Sequence, residues 1–179
     1  MKFFKPKFWD KNEISLFSIL LFPISLLIKL LSFFKRFLTK THKCSIPIIC
    51  VGNIYLGGTG KTPLCIELHF LLKNLNRNPV FIRKKYNSFQ DETNLQKQVG
   101  SVYESDRRIN ALKEAIHNKA NVAILDDGFQ DFSINKNLSI VCFNEKQWIG
   151  NSFVIPAGPL REDLSALNRA DCVIINGKK

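Results

Sequence analysis

Ser45-Ile-Pro-Ile-Ile-Cys-Val-Gly-Asn-Ile-Tyr-Leu-Gly-Gly-Thr-Gly-Lys-Thr-Pro63 begins with a β-branched apolar run, ending at Val51, that has the length and composition of a buried strand. A glycine-rich turn follows from Gly52 to Gly60. After it, Leu64-Cys-Ile-Glu-Leu-His-Phe-Leu-Leu-Lys-Asn-Leu75 has helical length and periodicity. Strand, glycine-rich turn, Lys-Thr and helix together form the context that a phosphate-binding loop needs. Glycines let the backbone wrap closely and turn N–H groups toward phosphate oxygens, and the helix N-terminus adds positive potential. Gly57, Gly58, Thr59, Gly60, Lys61 and Thr62 are the candidate nucleotide-binding residues. Lys61 can reach the terminal phosphates of a nucleotide, and the Thr62 hydroxyl can bind Mg²⁺. The general pattern G-x-x-x-x-G-K-[ST] asks for glycine where Tyr55 stands, so a plain glycine-rich turn is the alternative on the motif alone.

Asn121-Val-Ala-Ile-Leu125 is a second buried-strand pattern, and it runs into Asp126-Asp127-Gly128-Phe129-Gln130. Acidic residues at the carboxyl end of a parallel strand sit where open α/β sheets bind ligands. There, Asp126 and Asp127 would hold Mg²⁺ directly or through water; Asp-Asp-Gly is equally a turn sequence. Leu138–Phe143 and Asp171–Ile175 read as further strands. Between them, Gly150 to Glu162 is rich in proline and glycine and reads as a loop at the same sheet edge. On spacing, Arg161 either clamps a phosphate or pairs with Glu162 on the surface. These elements predict an α/β fold of the P-loop NTPase type, with a mainly parallel sheet flanked by helices.

The chain has 179 residues, 45% of them hydrophobic, and a formal net charge of +11. Nine Lys/Arg against Asp10 and Glu13 place most of the excess in residues 1–43. Lysine supplies 19 of the 26 basic residues, whereas nucleic-acid readers favour arginine with interleaved aromatics, so nucleic acid is not the expected partner. Five cysteines with no C-x-x-C pair suggest neither a disulfide framework nor a zinc site, and imply reduced thiols in a cytosolic compartment. Nothing in the sequence points to a protein partner.

Ile14 to Ile28 is uncharged, and the apolar character resumes after Lys29 as far as Phe34. The uncharged run is roughly 22 Å long as a helix, short of a roughly 30 Å hydrocarbon core. Lys11, Ser15, Ser18, Ser25, Lys29, Ser32 and Arg36 form a narrow polar stripe on a broad apolar surface. Both flanks are basic, with Lys2, Lys5, Lys7 and Lys11 before and Lys35, Arg36, Lys40 and Lys43 after. Symmetric flanks predict a helix or helical hairpin lying in the membrane interface. A single span, a signal peptide and a helix buried against the domain are the alternatives. The expected organisation is a membrane-interface helical segment over 1–43 and a nucleotide-binding core over 44–179.

Pro6-Lys7-Phe8-Trp9 with the apolar helix, Pro47 to Pro63, Asp126 to Gln130 and Ile155 to Glu162 (Ile-Pro-Ala-Gly-Pro-Leu-Arg-Glu) together resemble the tetraacyldisaccharide 4′-kinase family of lipid A biosynthesis. The motifs occur in family order across most of the chain. The resemblance implies transfer of the γ-phosphate of ATP to the 4′-hydroxyl of a tetraacyldisaccharide 1-phosphate, forming lipid IVA at the cytoplasmic face of the bacterial inner membrane, with Mg²⁺ as cofactor. It also implies that Lys61 and Thr62 are the Walker A lysine and threonine, and Asp126 and Asp127 the Walker B acids beside Gln130. Arg161 and Glu162 would line the active site. The family's loop also lacks the first Walker glycine, which accounts for Tyr55. Asp91, in Gln90-Asp91-Glu92-Thr93, stands where the family's Gly-Asp-Glu-Pro motif places a catalytic base, and Ile82 to Asn87 keeps Arg83 and Tyr86 of a Ser-Arg-Gly-Tyr-Gly stretch. Family members continue into a second lobe that supplies a histidine paired with the base. This chain ends at Lys179, and His42, His69 and His117 lie in no matching motif, so the expected chain lacks that lobe. The competing functional classes are a membrane-associated P-loop ATPase and a non-catalytic nucleotide-binding remnant.

Overall fold

Six parallel strands form one sheet in the order β3-β2-β4-β1-β5-β6. The computed structural model describes residues 5–10, 14–85 and 90–177. Tyr86 and Asn87 of the eroded stretch, and Lys2, Lys11 and Glu13 of the leader, lie outside them. The strands are β1 (Ile48–Gly52), β2 (Pro79–Lys84), β3 (Val102–Ser105), β4 (Val122–Asp126), β5 (Leu138–Asn144) and β6 (Cys172–Asn176). Helix α1 (Leu16–Leu38) precedes the sheet. Helices α2 (Lys61–Asn74), α3 (Gln90–Lys97) and α4 (Arg108–His117) make the crossovers from β1 to β4.

β1 and β4 are buried at every position but Ile49, as near-continuous apolar runs covered on both faces demand. One face packs Ile48, Cys50, Ile82, Ala123 and Leu125 against Ala111, Leu112 and Ala115 of α4. The other packs Val51, Phe81 and Ile124 against Cys65 of α2. Strand order reverses beside β1: the chain moves outward through β2 and β3, returns as β4, then crosses to β5 on the other side. The carboxyl ends of β1 and β4 flank that switch point, where open α/β sheets leave a crevice. β6 closes one edge, with Val173 and Ile175 about half exposed.

Helix α1 inverts the usual amphipathic arrangement. It runs unbroken for 23 residues through Pro23, about 35 Å at 1.5 Å per residue, so it is long and apolar enough to cross a membrane by length and composition. Its two buried residues are Ser18 and Ser25, whereas Leu20 is 74% and Phe37 82% exposed. The polar stripe is therefore a docking seam. Ser25 Oγ donates to the Val154 carbonyl at 2.8 Å and accepts from Ala157 N–H at 3.0 Å. Ser18 Oγ accepts from Asn151 Nδ2 at 3.1 Å, and Lys29 pairs with Asp163 at 2.5 Å. Against the described residues the helix packs through its serines and presents leucines and phenylalanines outward, the reverse of the face a core helix buries. Ser25→Val leaves the buried Ala157 N–H without its partner, costing about 1–3 kcal/mol, while the Val154 carbonyl keeps the Gly158 N–H. We expect the variant's unfolding midpoint in denaturant, measured in detergent, to fall accordingly.

Candidate active site

Gly52 ends β1, and Val51 pairs in register with Asp126 of β4, so the glycine-rich loop and the acidic strand end emerge side by side. The loop is braced from three directions. Within it, Asn53 Nδ2 donates to the carbonyls of Tyr55 at 2.6 Å and Gly57 at 3.2 Å. From the Ile155–Glu162 loop, Leu56 N–H donates to the Pro159 carbonyl and Arg161 N–H to that of Ile54, at 2.8 and 2.7 Å. From the leader, the buried Tyr55 donates its hydroxyl to Asp10 at 2.7 Å, and Lys5 pairs with the same carboxylate. Tyr55 thus replaces glycine's freedom with a side-chain anchor. Gly60 keeps that freedom: it caps α2 in the left-handed region, with φ of 84°, where an L side chain is strained. A Cβ at Gly58 would meet nothing within 4 Å, so the backbone there faces open space.

The two adjacent acids have opposite environments. Asp126 is 2% exposed. Its Oδ2 accepts from Gln96 Nε2 at 2.8 Å and Thr62 Oγ1 at 3.3 Å, and Arg83 lies 3.1 Å away. Burial raises its pKa above the usual carboxylate value despite the opposing pull of Arg83 and Lys61. Asp127 is only partly buried, and its backbone is left-handed with φ of 56°. Burial alone would raise it too, but Arg161 and Lys61 outweigh that effect and hold its carboxyl below the usual range. Arg161 Nη1 lies 2.9 and 3.0 Å from its two oxygens, and Lys61 Nζ is 3.7 Å from Oδ1.

Lys61, Thr62, Asp126, Asp127 and Arg161 therefore converge. Glu162 turns away and pairs with Arg169 at 2.6 Å, so the surface pairing of Arg161 with Glu162 does not form. Gln130 serves the loop from below, donating to the Asn53 carbonyl at 2.8 Å. Asp91 lies exposed in the first turn of α3, and among the described residues no hydrogen bond or ion pair joins it to the converging set. Four contributors escape sequence reading in these roles. Asn53 shapes the loop, and Arg83 and Gln96 hold Asp126. Arg108 donates to the Asp127 carbonyl at 2.8 Å and pairs with Asp131 at 3.3 Å. The available signals were an arginine ending a strand and a glutamine one helical turn beyond Glu92.

The site suits a metal–polyphosphate. Asp126 Oδ1 and Thr59 Oγ1 are buried with no hydrogen-bond partner, open acceptor capacity that native structures fill. Hydroxyl and carboxylate oxygens are the hard donors Mg²⁺ prefers. Among the described residues no cluster of three or more His, Cys, Asp or Glu forms a metal site.

A parallel sheet with a lysine- and threonine-bearing glycine loop beside an acidic strand end defines an α/β protein of the P-loop kinase fold. The match of a family model described as tetraacyldisaccharide-1-P 4′-kinase (LpxK) over residues 17–179 places the chain in that family, to which it belongs. The tetraacyldisaccharide 4′-kinase of Pelagibacter ubique is 45% identical over 179 residues, all of this chain and 57% of that protein. That of Rickettsia bellii is 34% identical, over 99% of this chain and 60% of its own. A crystal structure of LpxK from Aquifex aeolicus in complex with ATP superposes with a TM-score of 0.76 at 26% identity, over 89% of this chain and 58% of that one. The chain thus spans less than two thirds of each of these relatives.

Proposed function

We propose that the chain binds ATP with Mg²⁺ and transfers the γ-phosphate to the 4′-hydroxyl of a tetraacyldisaccharide 1-phosphate, yielding lipid IVA. The observation that carries this reading is the convergence of Lys61, Thr62, Asp126, Asp127 and Arg161 at the switch point, in a chain of this family. The loop from Gly57 to Gly60 wraps the phosphates with its N–H groups, and Lys61 neutralises charge on the transferred group. Thr62 and the two carboxylates would hold Mg²⁺; bound there, the ion supplies charge neutralisation across the β- and γ-phosphates. Asp91 accepts the proton of the attacking sugar hydroxyl. Glu162, through Arg169, fixes the loop that presents Arg161.

The acceptor's two halves match two surfaces. A cleft of about 530 Å³ opens between the end of α1 and the start of α4, and Lys35, His42, Arg107, Arg108, Asp127 and Arg161 contribute to its wall. Five Lys/Arg against Asp106, Asp127 and Asp131 leave this wall net positive, which suits a phosphorylated headgroup. The outward apolar face of α1 would lie in the cytoplasmic leaflet of the inner membrane, where the acyl chains can stay in lipid while the sugar reaches the cleft. The test is incubation of the chain in mixed micelles with the tetraacyldisaccharide 1-phosphate, Mg²⁺ and γ-labelled ATP. Label in the glycolipid is expected, and turnover of ATP indifferent to glycolipid counts against the reading. Joint Leu20→Asp and Phe37→Asp substitution should weaken co-sedimentation with anionic vesicles at least tenfold. Each change withdraws a side chain whose burial stabilises by about 1.5–3 kcal/mol, and undiminished binding would remove α1 as the membrane contact.

A further inference from the structure

Gln96 is fully buried on α3, and both ends of its amide are engaged. Its Nε2 donates to Asp126 Oδ2 at 2.8 Å, and its Oε1 accepts from Arg83 Nη1 at 3.3 Å. The same guanidinium pairs with Asp126 Oδ2 at 3.1 Å and with Glu92 Oε2 at 2.8 Å. With the Thr62 hydroxyl at 3.3 Å, three donors surround one oxygen of Asp126. The other oxygen, Oδ1, is buried and has no partner.

We propose that Gln96 is a positioning residue of the phosphate site: its amide fixes Asp126 by Oδ2, leaves Oδ1 for the metal-bearing nucleotide, and ties helix α3 to that acceptor. A carboxylate's terminal torsion is broad and nearly two-fold, so burial alone does not decide which oxygen faces the ligand. Thr62 donates its one O–H to the same oxygen at 3.3 Å, the longest of the three contacts, and keeps its lone pairs for Mg²⁺. Arg83 divides its donors between Asp126 and Glu92. Gln96 makes the shortest of the three contacts and is itself held at its far end, so it sets the orientation. The link has a second effect. Asp91 and Glu92 occupy the first turn of α3, one to two turns before Gln96, so occupancy at Asp126 is transmitted to the helix that carries the candidate base. The proposal rests on the nucleotide-binding reading above.

The test measures binding of a fluorescent ATP analogue with Mg²⁺ and with EDTA, for the wild-type chain, Gln96→Met and Gln96→Glu. Met removes the donor to Asp126; Glu keeps an acceptor for Arg83 but sets a second carboxyl against Asp126, replacing the amide's fixed donor by a shared proton or a like charge. Residues that orient metal ligands are typically worth about 10–100-fold in metal affinity. The Mg²⁺-dependent gain in nucleotide affinity should therefore fall at least tenfold in both variants, and binding in EDTA should stay within about twofold of wild type in the neutral Gln96→Met by the same reasoning. A merely structural glutamine lowers the unfolding midpoint and leaves that gain unchanged, an outcome that overturns the proposal. If neither variant folds, hydrogen exchange of the wild-type chain decides: Mg²⁺ with nucleotide should slow exchange in α3 and nucleotide in EDTA should not, and equal α3 exchange overturns it. A wild-type chain that binds no nucleotide removes the underlying reading as well. Wild-type Mg²⁺-dependent binding with unaltered variants removes this inference alone.

Discussion

Lys61→Ala is expected to lower phosphate transfer by about a thousandfold, the upper range for removing one donor that stabilises transition-state charge, while leaving the fold intact. The expectation follows from where the ammonium sits. Lys61 is the first residue of α2, its side chain is 13% exposed, and its ion-pair partner is Asp127 at 3.7 Å, a long contact. Asp127 keeps Arg161 on both oxygens after the substitution, so no buried charge is stranded and the unfolding midpoint should barely move. The loss should appear in turnover more than in nucleotide affinity, because the backbone N–H groups of Gly57 to Gly60 remain. Arginine is not expected to rescue it, since a planar fork cannot replace a compact ammonium that enters between phosphate oxygens. Transfer rates for wild type, Lys61→Ala and Lys61→Arg, with thermal unfolding of each, check the prediction. Alanine retaining more than a tenth of the rate would mean that the loop does not hold the transferred phosphate.

The parts of this site that can be read along the chain are those built from contiguous residues. Strand, glycine turn, Lys61-Thr62 and helix form one supersecondary unit, and its local chemistry survives in the fold, with the helix beginning at Lys61 three residues before the periodic run. The Asp126-Asp127 pair is legible for the same reason: a strand's carboxyl end is where an open sheet binds. What escapes is set by register between distant strands. Phe81↔Ile124 and Ile82↔Leu125 pairing carries Arg83 beside Asp126, and no sequence pattern contains that alignment. Gln96 is hidden further, since its role exists only after β2, α3 and β4 are assembled. The leader shows a different limit. Periodicity reveals the serine stripe of α1, but sidedness depends on what the stripe meets. Asn151, Val154 and Ala157 turn it into a seam and send the leucines outward.

Asp91→Asn should lower phosphate transfer by about 10²–10⁴-fold, the span attributed to a positioned general base, with ATP binding unchanged. Asparagine preserves size and shape but removes the lone-pair basicity that takes the hydroxyl proton. The contrast with its neighbour makes the assignment testable. Glu92 is tied to Arg83 at 2.8 Å and serves the anchor of α3, whereas Asp91 is exposed at the helix start and makes no such bond among the described residues. Of this pair, Asp91 is thus the carboxylate without such a tether among the described residues, as the proposed base requires. Its loss costs α3 only the attraction between a first-turn acid and the helix dipole, a few tenths of a kcal/mol at an exposed site. Glu92→Gln should act differently, slowing transfer less and loosening α3 in hydrogen exchange, because it weakens a tether and leaves the base in place. Measured together with the transfer rate, nucleotide affinity and exchange separate the two roles. Should Asp91→Asn keep transfer within threefold while Glu92→Gln abolishes it, the proton goes to Glu92, and the Arg83 pair becomes the device that sets its basicity.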